Sequence, residues 1–323
     1  MTSDLENIFI RHRATIHRTP SPHNTQPWTI NFDDNALIIG FNSSRTLPVT
    51  DPTNRDLCLS LGMFIESIAT VVGEETGKSI NVAFRTQDDA SAVCDIFLSD
   101  SDYIPVITSD DLKKRSTNRK VFATNTSDRE SNIEQLLDTG GCPYILCDSR
   151  SLAPLLDQAD VIQMANTDAS VELNHWLRAE KTLRSRDGLS SVALDLRYFE
   201  AILLKAVFSR TIHRVLKHAG LAQALLRSRT NMLDTDSLLV AFTSEYEPPS
   251  LEIITAGRSL LHSWCLLCRE GFSVHPMSQL LDVPETNRAL HEHLQVDNTT
   301  HIVFVIRVGF SDSHTGHSRR LVE

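Results

Sequence analysis

The sequence predicts an α+β fold, and three observations carry that expectation. Hairpin-like β runs and long helical runs alternate without a regular βαβ rhythm, the composition breaks near Ser109, and the chain closes on a nearly all-apolar run. Residues 4–18 read as a helix, stopped by the prolines of residues 19–28, TPSPHNTQPW. That segment sets Ser21, His23, Asn24, Thr25 and Gln26 on a backbone stiffened by Pro20, Pro22 and Pro27. It reads either as a rigid polar ligand loop or as a plain helix stop leading into a strand. Trp28 at its end reads as a packing anchor.

WTINF and ALIIGF then form a hairpin split by Asp33, Asp34 and Asn35. Asp51-Pro52 has the chemistry of a helix start, with Asp as cap and Pro in the first turn. Leu57, Leu61, Phe64, Ile65, Ile68 and Val72 follow at helical spacing, so a long packed helix is predicted. INVAFRT and VCDIFLS make a second hairpin around Asp88 and Asp89.

Past Ser109 the chain restarts with the polar, basic SDDLKKRSTNRKVF, then a strand YILCD and several helices up to about residue 229. A further helix begins after Pro248 and Pro249, with Ile253, Gly257, Leu260, Leu261, Trp264 and Cys268 as its buried stripe. HIVFVIRVGF closes the chain as a central strand buried on both faces.

Composition excludes several function classes. The chain has 323 residues, 41% hydrophobic and 22% charged, with a formal net charge of -10. That charge argues against nucleic acid, whose phosphates require a basic face, and against an anionic membrane as the main partner. The N-terminus lacks a basic region and an apolar core of signal type, and no run of eighteen apolar residues occurs. Six scattered cysteines do not form a disulfide framework, so a cytoplasmic protein is expected.

No glycine-rich phosphate fingerprint and no G-x-S-x-G elbow is present. Any phosphate must therefore be held by side chains. Two basic clusters offer them: Lys114, Arg115, Ser116, Asn118 and Arg119, and the pair Arg319 and Arg320 beside Ser318. Arginine forks match phosphate oxygens bidentately, although each cluster taken alone reads first as a solvated charged face. Cys265 and Cys268 form a C-x-x-C without a second pair and read as core residues. His291 and His293 fall on different sides of a helix, so no metal site is expected. The basic stretch of residues 203–229 reads as a lid or packing helix in preference to a membrane-surface helix.

Taken together, PSPHNTQPW resembles the Ser-x-x-Asn-x-Gln-Pro-Trp loop of FMN-dependent nitroreductase-like flavoproteins. KRSTNRKVF is similar to the Arg-rich opening motif of that family, HSRR to its closing basic motif, and residues 256–282 to its central helix and following turn. In the common family member the Arg-rich motif precedes the loop, and two identical chains pair around the flavin. Here the loop comes first, so the resemblance implies a nitroreductase-like α/β sandwich with two halves fused in one chain as a pseudo-dimer. Residues 1–109 would supply the loop; residues 110–323 would supply the basic motifs and a helical lid over about residues 178–229.

The same resemblance implies one FMN per chain. Its phosphate would be held by Arg115, Ser116, Arg319 and Arg320, its ring lined by Ser21, Pro22, His23 and Asn24, with Arg119 near N1 and C2. Ser278 and Gln279 would match the positions near N5, and Arg55 is a further candidate cation. The implied activity is hydride transfer between NAD(P)H or an organic substrate and a small-molecule acceptor, with no side chain acting as acid or base. Two alternatives stay open: a non-catalytic FMN-binding or storage protein closed by its lid, and an interaction protein that keeps the fold without flavin. The chain would be a monomer with an internal pseudo-dimer, or a homodimer.

Overall fold

The computed structural model describes residues 4–33, 35–85, 92–122, 129–182, 184–220 and 235–312. At its centre two long helices pack side by side, α2 (Arg55–Thr76) and α9 (Leu251–Arg269). All the stripe residues expected on α2 are buried, as are Ile253, Gly257, Leu260, Leu261 and Trp264 on α9. Burying each large aliphatic or aromatic side chain contributes about 1.5–3 kcal/mol, which is why this pair organises the fold. By length and composition alone α2 could cross a membrane, yet its apolar window is entirely buried inside the fold.

Helix α2 starts three residues later than Asp51-Pro52 suggests. Asp51 still caps it, because its carboxylate accepts the backbone N–H groups of Asp56 (3.2 Å) and Leu57 (3.0 Å) from upstream of the first turn. Ser250 caps α9 through the N–H of Ile253. Where the helices cross, Gly62 and Gly257 let the backbones touch. A methyl group on Gly62 would overlap the carbonyl oxygen of Ile254, and one on Gly257 would overlap that of Leu59.

Two four-stranded antiparallel sheets flank the pair. The first orders β1 (Trp28–Asp33), β2 (Ala36–Phe41), β4 (Ala92–Asp102) and β3 (Lys78–Phe84) side by side. The second orders β5 (Tyr144–Asp148), β8 (Leu238–Ser244), β10 (His301–Gly309) and β9 (Ser273–Pro276) in the same way. Each sheet thus takes two strands before its long helix and two after it, with the last strand inserted inside the sheet. One apolar core runs through both sheets and both helices. The predicted central strand β10 is buried from Ile302 to the end of its run.

The two sheets differ at two connections; one is that residues 277–300, with two short helices, join β9 to β10 where residues 85–91 join β3 to β4. At the other, β1 and β2 are joined by a tight hairpin, whereas residues 149–237 lie between the neighbouring strands β5 and β8. The described part of this insertion comprises α5 (Ala153–Ala165), α6 (Thr167–Trp176), a small parallel pair β6 (Leu177–Arg178) and β7 (Leu189–Ser190), then α7 (Tyr198–Val207) and α8 (Arg210–Leu216). Short helices α1 (Asp4–Ile16), α3 (Ser109–Lys114), α4 (Glu130–Gly140), α10 (Gln279–Asp282) and α11 (Pro284–His293) complete the described elements. The turn at Asp88 and Asp89 lies outside the described residues.

Candidate functional site

A cavity of about 340 Å³ opens between the central helices and the insertion. This lies at the small end of the about 300–1,000 Å³ usual for ligand pockets. Segments far apart in the chain supply its walls. Pro20, Ser21, Pro22 and His23 come from the proline loop, Thr117 and Arg119 from the basic motif, and His275, Pro276, Ser278 and Gln279 from β9 and the turn after it. Leu59, Ser60 and Met63 of α2, Trp264 of α9 and Phe304 of β10 form the floor, while Leu173, Leu189, Leu194 and Phe208 of the insertion form the roof.

The loop earns its polar residues. His23, Asn24 and Gln26 all have positive φ, at 49°, 56° and 50°, a region that costs non-glycine residues roughly 1–2 kcal/mol each. Side chains offset this. Ser21 Oγ accepts the backbone N–H of Gln26 (2.9 Å), Gln26 Nε2 donates to the Arg186 carbonyl (2.9 Å), and Asn24 exchanges two hydrogen bonds with Gly188 (both 3.1 Å). Arg45 Nε donates to the Thr25 carbonyl (2.7 Å), and its guanidinium joins Arg178 in clamping Asp187. Asn24 therefore points away from the cavity, fastening the loop to the insertion, while Ser21, Pro22 and His23 face inward. Burial lowers the His23 imidazole to about 4, outweighing the pull of Glu172 and Asp56, so it is neutral at pH 7. Trp28 stacks on Phe64 with centroids 4.4 Å apart, as a packing anchor.

The basic motif is extended, so its residues alternate in direction. Thr117 and Arg119 face the cavity, and Arg119 Nη1 donates to the Ala193 carbonyl (2.9 Å). Between them Asn118 is buried against β9, its N–H on the Val274 carbonyl and its amide on Ser273. Ser116 offers its carbonyl to Trp264 Nε1 (3.1 Å). Arg115 does not line the cavity. It is 2% exposed, lies over the Trp264 ring at 4.7 Å, and donates one bond to the Arg18 carbonyl (3.1 Å). Its Nε has no hydrogen-bond partner among the described residues. Lys114, next to it, is exposed. Arg319 and Arg320, with Ser318, lie outside the described residues.

One feature of the site was not anticipated. Asp51, Asp56, Asp160 and Asp282 line the cavity, and the buried Arg55 lies against two of them. Arg55 pairs with Asp56 at 2.8 Å and Asp282 at 2.7 Å, and Gln163 donates to Asp282 (3.2 Å). Burial works against the Arg55 charge, but Asp56 and Asp282 outweigh it and hold the guanidinium protonated. Burial raises Asp51 and Asp282 well above the ordinary carboxylate range. Arg55 is thus a partner of carboxylates and is not turned to an outside anion. In the sequence, Asp51 shows only the signal of a helix cap, and Asp282 shows none.

On the other side of the helix pair, Glu66 is 1% exposed in its side chain and accepts from Arg258 Nε and His262 Nε2, both at 2.7 Å, and from Tyr103 (3.3 Å). Cys265 is fully buried, and burial pushes its thiol well up, as suits a core residue. Among the described residues no group of three or more His, Cys, Asp and Glu is arranged to hold a metal ion.

No family model matches the chain. Over 96% of its length it is 22% identical to a protein of Serratia sp. (strain ATCC 39006) named "Probable NAD(P)H nitroreductase PigM", covering 90% of that protein. This distant similarity, which spans both sheets and the insertion, supports a nitroreductase-like relationship and an oxidoreductase activity.

Proposed function

We propose that this chain is a flavin oxidoreductase that holds one FMN in the cavity and passes reducing equivalents from NAD(P)H to a small-molecule acceptor. The observation that carries the reading is the convergence of Ser21, Pro22 and His23, Arg119, and Ser278 and Gln279 on one cavity, from segments separated by most of the chain. The similarity to a protein named as an NAD(P)H nitroreductase supports the same reading.

The residues fit the group. A flat ring with apolar faces and a polar rim suits walls of Leu59, Met63, Trp264 and Leu194 edged by Ser21, Thr117, Arg119 and Gln279. For the phosphate this proposal keeps Arg115, which lies behind the cavity wall under Trp264 with its Nε unpartnered among the described residues, together with Ser116, Arg319 and Arg320. When bound, FMN supplies hydride acceptance and donation at N5. The residues of the chain position and tune: Arg119 favours negative charge at the ring rim, neutral His23 adds no competing cation, and the roof of Leu173, Leu189 and Phe208 excludes water.

The pseudo-dimer belongs to this proposal, with halves meeting near Ser109. It is supported by the shared strand order of the two sheets and by the reciprocal contact of Gly62 and Gly257. One site per chain also follows from this reading. Met63, just after Gly62, lines the cavity, whereas its counterpart after Gly257 is Arg258, whose space is taken by the pair with Glu66.

The test is the visible spectrum of the freshly purified protein, followed by anaerobic NADH or NADPH. A flavin spectrum that bleaches is expected. A flavin that neither donor reduces would leave a storage role in place of turnover, and a colourless protein that takes up no FMN would end both readings.

A further inference from the structure

The insertion carries a surface that the cavity does not use. Helix α7 is apolar almost all the way round. Its inner arc, Ala201, Leu204 and Val207, turns towards the small cluster of Leu177, Leu189 and Phe208. On the outer arc Tyr198, Phe199, Ile202 and Leu203 are 43%, 59%, 45% and 62% exposed. Helix α8 adds Ile212 and Val215, at 42% and 68%. Of the 17 large apolar side chains exposed among the described residues, seven fall between Val192 and Val215, six of them on the adjoining helices α7 and α8. A helix that is apolar on all sides calls for a cover on its outer face.

The charge around the patch indicates what covers it. The overall charge of -10 opposes an anionic surface, but residues 197–220 hold Arg197, Lys205, Arg210, Arg214 and Lys217 against one acid, Glu200, with Asp195 just before them and Asp168 beside Arg210. Arg210 pairs with Asp168, and Lys205 donates to the Leu177 carbonyl; Arg214 is exposed. A second copy docked face to face would set these cations against their own counterparts. Ten residues of α7 are too short to span a bilayer but suited to lie in its plane.

We propose that the α7–α8 face docks on an anionic lipid surface, with Phe199 and Leu203 inserted among the acyl chains and Arg214 and Lys217 on the headgroups. Phe208, at the junction of the two helices, lines the cavity roof, so an apolar molecule leaving the lipid would have one layer of side chains to pass. The proposal stands apart from the identity of the cofactor.

The test is flotation of the full-length protein with phosphatidylcholine vesicles, with and without phosphatidylglycerol. Binding is expected to the anionic vesicles only, weakening as salt is raised. Phe199→Ser and Leu203→Ser are each expected to weaken partition about ten-fold. The double variant Arg214→Ala, Lys217→Ala is expected to weaken it about 25-fold while leaving the apolar face intact. No flotation with either vesicle, or equal flotation with both, would overturn the proposal. So would a wild-type dimer that Phe199→Ser splits into monomers, because the face would then join two copies of the chain.

Discussion

Gly62 and Gly257 stand in a reciprocal relation: each lies against the carbonyl oxygen of the residue three positions before the other. The equality of the two offsets is what the proposed pseudo-dimer requires at the crossing of α2 and α9. It also fixes how closely the cavity floor, Leu59 and Met63 on one helix and Trp264 on the other, is drawn together.

Alanine at either glycine must therefore push the helices apart. Gly62→Ala is expected to cost about 3 kcal/mol or more, above the usual overpacking penalty because the obstacle is backbone. A urea melt gives the stability, and flavin retention measured on the same sample should fall with it. A variant as stable as wild type would mean the crossing is looser than described.

Arg115→Ala is expected to weaken FMN binding by roughly ten- to a hundred-fold, the worth of a charge-assisted hydrogen bond. Ser21→Ala should change it less. Fluorescence titration of the apoprotein with FMN measures both. Unchanged affinity in Arg115→Ala would remove that residue from the phosphate set and leave it as support for Trp264.

Glu66→Gln addresses the opposite face. Removing one partner of a buried ion pair leaves Arg258 uncompensated, at about 3 kcal/mol. The loss should appear in the unfolding midpoint, with FMN affinity unchanged, since Glu66 does not line the cavity.

A pH series tests His17, which is 4% exposed, with its Nε2 unpartnered among the described residues. Burial, aided by Arg13, lowers it from 6.5 to about 4. The unfolded chain therefore takes up the proton first. This stability is complete above about 6.5 and drains as pH falls towards 4. Between pH 7 and pH 5 the loss is about 2 kcal/mol. His17→Gln should flatten that part of the stability curve relative to wild type; parallel curves would show that His17 is not buried neutral.

The long helices, both hairpins and the central closing strand were legible in the sequence because each rests on a local period. The stiffness of the proline loop was legible for a different reason: three prolines fix the backbone around Asn24 and Gln26. What was not legible depends on partners distant in the chain. Arg115 lies against Trp264, and Asp56 and Asp282 meet on Arg55 across 226 residues of chain. Charge pattern alone makes Lys114 and Arg115 look alike, yet one is in water and the other under an indole.

Because the insertion of residues 149–237 enters between two strands that are already neighbours, β5 and β8, the part of it beyond α5, whose Leu156 packs on the sheet, can vary without changing the β5–β8 register. Among the described residues the insertion is tied to the rest by Asn24 on Gly188 and Arg45 on Asp187, by Glu172 on the backbone of Val49 and Thr50, and by Gln163 on Asp282. Under the proposed function, redesigning what the cavity admits means keeping α5 and these ties and varying the segment that carries Leu173, Leu189, Leu194 and Phe208.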